Sequence, residues 1–102
     1  MAGNLSYFII FSSRAQKEIA SAWDWYEERQ QSLGDRFIQE VVRKAQLIEQ
    51  NPERYPTRYN SYKETILSTF PFLIIYRINK RKKSIRIVSV FHTSLHPKKK
   101  YR

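Results

Sequence analysis

Cysteine is absent from the chain, and glycine occurs only twice. Without cysteine there is no disulfide, no thiol nucleophile and no thiolate zinc site, a usage that fits a reducing compartment. Two glycines leave no material for a glycine-rich phosphate loop. Long hydrophobic runs are missing too. Leu5 to Phe11, LSYFIIF, is apolar but too short to span a bilayer. It also lacks the basic flank and small-residue cleavage site of a leader. These absences make a cytoplasmic location the expectation, with no membrane partner.

Acidic residues are scarce in one half only. Residues 1–51 hold six Lys/Arg and seven Asp/Glu, whereas residues 52–102 hold thirteen and two. The overall net charge of +10 therefore sits almost wholly in the second half. A one-sided excess of this kind fits an anionic partner, either nucleic acid or an acidic protein. The 102 residues, 41% of them hydrophobic and 15% aromatic, are enough for one folded domain with a single core.

Along the chain, Leu5 to Phe11 reads as a strand, rich in aromatic and β-branched residues. Its near-continuous apolarity predicts burial on both faces, or on one face plus a contact with a partner. Ser12 or Ser13 is an N-cap for a helix over Arg14 to Ser32. Ala15, Ile19, Ala22, Trp23 and Tyr26 form its one-sided stripe, and Trp25 lies off it, placed to cover the sheet edge. Leu33-Gly34 breaks the helix, and Asp35 to Gln50 forms a second one, stopped by Asn51-Pro52. Helices so closely linked pack as an antiparallel hairpin.

Pro52 to Tyr62, PERYPTRYNSY, reads as a loop. Its three tyrosines are read as pins holding the loop to the surface, with base stacking as the alternative. Strands follow at Lys63–Thr69, Phe72–Ile78 and Ser84–His92. Alternation puts Phe72, Ile74, Tyr76 and Ile78 on one face, with Leu73, Ile75 and Arg77 on the other. By the same rule Ile85, Ile87, Ser89 and Phe91 oppose Arg86, Val88, Val90 and His92. The order β-α-α-β-β-β predicts an α+β fold, a helical hairpin on one face of a mainly antiparallel sheet. The last two long strands form its centre.

The chemistry these residues support is limited. His92 and His96 are spaced i, i+4, but no carboxylate completes a metal set, so neither metal nor organic cofactor is expected. Nearly all the acids fall on predicted exposed helix faces, where solvation or i,i+4 pairing accounts for them, so no hydrolase with paired carboxylates is expected. A cationic surface could instead bind phosphate, or cleave RNA without metal. Such cleavage needs proton transfer and charge stabilisation at phosphorus. Arg77, Arg86, His92 and Tyr101 are the residues able to fill those roles. The wider contact surface comprises Arg77, Lys80, Arg81, Lys82, Lys83, Arg86, His92, Lys98, Lys99, Lys100 and Arg102.

Four stretches carry a family likeness: WDWYEERQQSLGDRF at the helical junction, NPERYP after the second helix, FPFLIIYRI, and VFHTSLHPKK at the last strand. In their order and spacing the chain resembles the RelE/ParE superfamily of type II toxin–antitoxin toxins over nearly its whole length. The resemblance implies a toxin held inactive by a cognate antitoxin, often acidic, and acting on a macromolecule, not on a small-molecule substrate. RelE-like members cleave mRNA at the ribosome; ParE-like members poison DNA gyrase. The RelE-like pattern places an arginine early in the penultimate strand, where Leu73 stands here. His92, Lys98 and Tyr101 match its C-terminal basic residues and tyrosine only approximately. The ParE-like branch, with gyrase as target, is therefore the expectation, with the ribosome-dependent endoribonuclease as the alternative and a non-toxic nucleic-acid-binding domain as a second one.

Overall fold

The computed structural model describes residues 7–95 and 97–101. His96, Arg102 and the start of the first expected strand, Leu5 and Ser6, lie outside the described residues. Strand β1 (Phe8–Phe11) is followed by helices α1 (Ser13–Arg29) and α2 (Leu33–Gln50). A single 3-10 turn at Pro52–Arg54 leads into strands β2 (Thr57–Tyr59), β3 (Tyr62–Ile66), β4 (Phe72–Asn79) and β5 (Ser84–His92). The five strands form one sheet in the order β1-β5-β4-β3-β2. β1 runs parallel to β5, and the other pairs are antiparallel. The expected α+β arrangement is therefore present, with β4 and β5 inside the sheet.

Both helices bury their apolar stripes on one face of the sheet. Ala15 and Ala22 of α1 and Phe37, Val41, Ala45 and Ile48 of α2 meet Phe72, Ile74, Tyr76, Ile85, Ile87 and Val90. At one end Tyr26, Phe37, Phe70 and Phe72 form an aromatic cluster with ring centroids 4.9–6.3 Å apart. Edge-on and tilted geometries of this kind add to the area they bury. At the other end the buried Tyr76 hydroxyl donates to the Pro52 carbonyl at 2.7 Å, tying β4 to the turn after α2. Burial pushes the Tyr76 hydroxyl well above the usual tyrosine pKa, so it stays a donor.

Several local readings change. Of the two arrangements expected for β1, burial on both faces is not found: Phe8 and Ile10 are exposed, whereas Tyr7, Ile9 and Phe11 pack on the core. The loop expected over Pro52 to Tyr62 contains β2, three exposed residues with no apolar alternation to announce a strand. β3 ends at Ile66, because the chain must turn at Leu67 to bond Phe72. Val42, one of the apolar positions at helical spacing in α2, is exposed.

The largest change is in β5. Ile75 pairs with Ser89 while Tyr76 pairs with Ile87, so Val88 is an extra residue. A bulge of this kind reverses the alternation beyond it. Val90 and His92 therefore share the helix-covered face with Ile85 and Ile87, and Phe91 lies opposite with Leu73. The exposed upper edge of β5, beyond the reach of β1, is closed by α1. Ser12 Oγ donates to the Val88 carbonyl at 2.9 Å and accepts from Ala15 N–H at 3.0 Å, capping the helix as expected. The Glu18 carboxylate accepts from Val90 N–H at 2.9 Å and from Ser89 Oγ at 2.8 Å.

The α1–α2 junction also differs. The break falls at Gln30–Ser32, with Ser32 in the left-handed region at φ 72°, and Gly34 sits inside the first turn of α2. Glu27 accepts from Ser32 N–H and Gly34 N–H, each at 2.8 Å. Gly34 is needed for a close approach: a Cβ there would stand 2.7 Å from Trp23 Cδ1 and 2.8 Å from Glu27 Oε1. The Trp23 indole cannot easily yield, since its Nε1 donates to Asp35 at 3.0 Å. Helix propensity alone favours alanine over glycine by about 1 kcal/mol. Gly34→Ala is nonetheless expected to destabilise the fold, by roughly 1–3 kcal/mol of overpacking. The midpoint of urea unfolding reads this directly, and an unchanged or raised midpoint would contradict the packing assignment.

Candidate functional site

The two faces of the sheet have different characters because only one carries helices. The uncovered face is defined by Leu73, Ile75 and Arg77 of β4, with Arg86 and Phe91 of β5 and Tyr62, Glu64 and Ile66 of β3. Its upper part is apolar. Phe91 and Ile75 are fully buried, and Leu73 pairs with Phe91 on one side and Ile66 on the other. Its lower part, toward the β4–β5 hairpin, is cationic and aromatic. Arg77 and Arg86 stand directly opposite each other, both exposed. The Arg77 guanidinium lies 5.1 Å from the centre of the Tyr62 ring.

The C-terminal segment folds back onto this face. After a 3-10 turn at Pro97–Lys99, Lys100 Nζ reaches the Glu64 carboxylate at 3.2 Å, and the Tyr101 hydroxyl donates to the same carboxylate. Arg14 holds the segment from the other side, donating to the carbonyls of Lys99 at 2.6 Å and Lys100 at 2.9 Å. The Tyr101 ring lies against Tyr59 and Tyr62, with centroids at 4.5 and 5.0 Å. Partial burial, the hydrogen bond to Glu64 and the Glu64 charge together raise the Tyr101 pKa above its ordinary value.

His92 lies elsewhere. The bulge turns it to the helix side, where its ring meets Phe72 edge-on at 4.8 Å. Its Nδ1 is engaged by Ser94, with N–H at 3.0 Å and Oγ at 2.7 Å. Here His92 helps line an apolar groove of about 730 Å³ between α1 and the end of the sheet, with Trp25, Tyr26, Pro71, Val90 and Leu95. Trp25 thus rims this groove, with the Arg29 guanidinium 3.5 Å over its ring, and does not close the sheet edge. Arg77, Arg86 and Tyr101 are brought together on one face; His92 is not. His92 also lies six positions from Arg86 along β5, about 20 Å of strand.

The remaining expected contact residues scatter. Lys80 is held by Glu53 at 3.1 Å, a carboxylate shared with Lys63 at 3.5 Å. That pairing lowers the Glu53 pKa and raises that of Lys80. Arg81, Lys82 and Lys83 are exposed on the hairpin. Lys98 and Lys99 are exposed on the 3-10 turn, and Lys100 is tied to Glu64. Arg102 lies outside the described residues. Sequence reasoning missed Arg14, Glu64 and the placement of Tyr59 and Tyr62. The clustering of tyrosines in PERYPTRYNSY was a signal for the last two; nothing local marks Arg14 or Glu64. Among the described residues no group of three or more His, Cys, Asp or Glu could hold a metal ion. No helix among them is long and apolar enough to cross a membrane.

With this geometry, two helices on one face of a five-stranded mixed sheet, the chain resembles known toxin structures. The chromosomal ParDE toxin–antitoxin system of P. aeruginosa superposes with a TM-score of 0.75 at 15% identity, over 88% of this chain and 98% of that one. The intact E. coli RelBE toxin–antitoxin complex gives 0.67 at 19%, over 88% and 100%. The RelBE2 toxin–antitoxin complex of Mycobacterium tuberculosis gives 0.62 at 20%, over 85% and 98%. A comparison with curated protein sequences finds no significant match. Residues 9–96 match the family described as ParE toxin of type II toxin-antitoxin system, parDE, and the chain belongs to that family.

The Tyr101–Glu64 bond gives the tail a pH signature. The native pKa of Tyr101 is raised, so its contribution is complete below the unfolded value of about 10 and is lost as pH rises through the native value. Tyr101→Phe should cost about 1 kcal/mol near neutrality. The gap between wild type and variant in urea unfolding should close as pH climbs above about 10. A gap that is independent of pH would show that the hydroxyl does not hold the tail.

Proposed function

We propose that this ParE-family toxin arrests growth by binding DNA gyrase, without catalytic chemistry of its own. The observation that carries this reading is the separation of His92 from Arg77, Arg86 and Tyr101 by the thickness of the sheet. A metal-independent ribonuclease needs a general acid and base converging on one phosphate with a cation beside it. Here the histidine is turned into a groove on the helix side. Tyr101 is bonded to Glu64, and apolar Leu73 stands on the same face as the arginines, with Ile75 between it and Arg77.

A cognate antitoxin of acidic character holds the toxin inactive in the cytoplasm. The toxin–antitoxin complexes among the structural relatives support such a partner. So do the charge of the second half and the exposed apolar residues Phe8, Ile10 and Leu95. The alternative, a ribosome-dependent endoribonuclease, draws on the Arg77–Arg86 pair with Tyr101 close by.

Purified gyrase, relaxed plasmid and the free toxin provide the test. The expected result is loss of supercoiling or accumulation of cleaved DNA, retained in His92→Ala. Absence of any effect on gyrase at concentrations that arrest cells would overturn the proposal. Cuts in ribosome-bound message, seen by primer extension and lost in Tyr101→Phe, would establish the alternative.

A further inference from the structure

Three tyrosines from distant parts of the chain meet on the uncovered face beside two unneutralised arginines. Tyr59 closes β2, Tyr62 opens β3, and Tyr101 arrives from the C-terminal segment. Two ring pairs are stacked close to parallel, at 11° between Tyr59 and Tyr62 and 21° between Tyr59 and Tyr101, and Tyr62 and Tyr101 are tilted by 32°. Tyr59 is half exposed, so the cluster keeps an open ring surface. Packing within the core does not require this arrangement, because none of the three rings belongs to the core cluster under the helices.

The charges beside the rings are equally unusual. Like charges placed directly opposite on neighbouring strands repel, yet Arg77 and Arg86 form such a pair. Among the described residues neither makes an ion pair with a carboxylate. Arg77 rests on the Tyr62 ring instead. Glu64 is the only acidic residue in the five strands, and Lys100 and Tyr101 occupy it. The surface is thus cationic with its one negative charge already compensated.

We propose that the Tyr59–Tyr62–Tyr101 rings and the adjoining Arg77–Arg86 pair form a binding site for single-stranded nucleic acid. Arginines facing one another are stabilised when a phosphate lies between them, and an open aromatic surface beside them receives an unpaired base. An acidic peptide would satisfy the charges but leave the rings unused. A duplex would hide its base faces from them. The site is separate from the gyrase reading and does not depend on it: the helix-side groove and the hairpin cations take no part.

The test uses the free, full-length toxin and fluorescently labelled ten-nucleotide oligothymidylate and oligouridylate, read by anisotropy, with no gyrase present. Binding is expected, and it should weaken steeply with salt as counterions are released. Arg77→Gln with Arg86→Gln should weaken it about tenfold and flatten the salt dependence by roughly one to two units of slope. Tyr59→Leu should weaken it about tenfold at every salt concentration, while Tyr59→Phe, which keeps the ring, should bind like wild type. Arg81→Ala with Lys82→Ala, on the hairpin, should change affinity less than about twofold. Three results would overturn the proposal. They are equal losses in the hairpin and arginine-pair variants, no difference between Tyr59→Leu and Tyr59→Phe, and equal competition by a ten-residue glutamate peptide. Circular dichroism of each variant separates loss of binding from loss of fold.

Discussion

The extra residue that β5 carries at Val88 governs what each face of the sheet can do. A regular strand would put Phe91 under the helices and His92 on the same open face as Arg77 and Arg86, though at the far end of the strand. The bulge exchanges them. Val90 then completes the core, Phe91 buries itself on the far face, and His92 is delivered to the groove beside α1. The bulge is held in place by α1 and its N-cap: Glu18 and Ser12 bind the β5 backbone at Val90 and Val88. Glu18 in turn is paired with Arg14, and Arg14 grips the returning C-terminal segment. A single line of polar contacts therefore links the helix start, the bulge and the tail.

That line also explains why the tail lies where it does. The tail carries three consecutive lysines, and a strongly basic segment would ordinarily stay solvated. Here two backbone carbonyls are fixed by Arg14, and one lysine and the tyrosine converge on Glu64, an acid 8% exposed in a sheet otherwise free of acids. A carboxylate buried this deeply is stable only when paired. Tail and sheet thus satisfy each other: Lys100 and Tyr101 neutralise Glu64, and Glu64 anchors the segment that covers part of the uncovered face.

Much of this was legible in the sequence where the signal was local. Ala15, Ala22, Phe37, Val41, Ala45 and Ile48 recur at helical spacing, and all are buried. The alternation in Phe72 to Ile78 assigned the faces of β4 correctly, and the resemblance carried by FPFLIIYRI agrees with the family match. What could not be read depended on distant partners. The bulge has no glycine or proline to announce it; it arises from how β5 fits against β4 and α1. β2 is three exposed residues that exist as a strand only because β3 lies beside them. Gly34 reads as a helix breaker, but its role is set by an indole eleven positions earlier. The division of Arg77, Arg86 and Tyr101 from His92 follows from the bulge, so it too was hidden.

The proposed contact with gyrase calls for binding surfaces and for no assembled catalytic centre. Its most direct test is made in growing cells within minutes of inducing the chain without an antitoxin, by following labelled thymidine and labelled methionine side by side. Inhibition of gyrase requires thymidine incorporation to fall first, with protein synthesis continuing until replication has stopped. An immediate drop in methionine incorporation while DNA synthesis persists would contradict it.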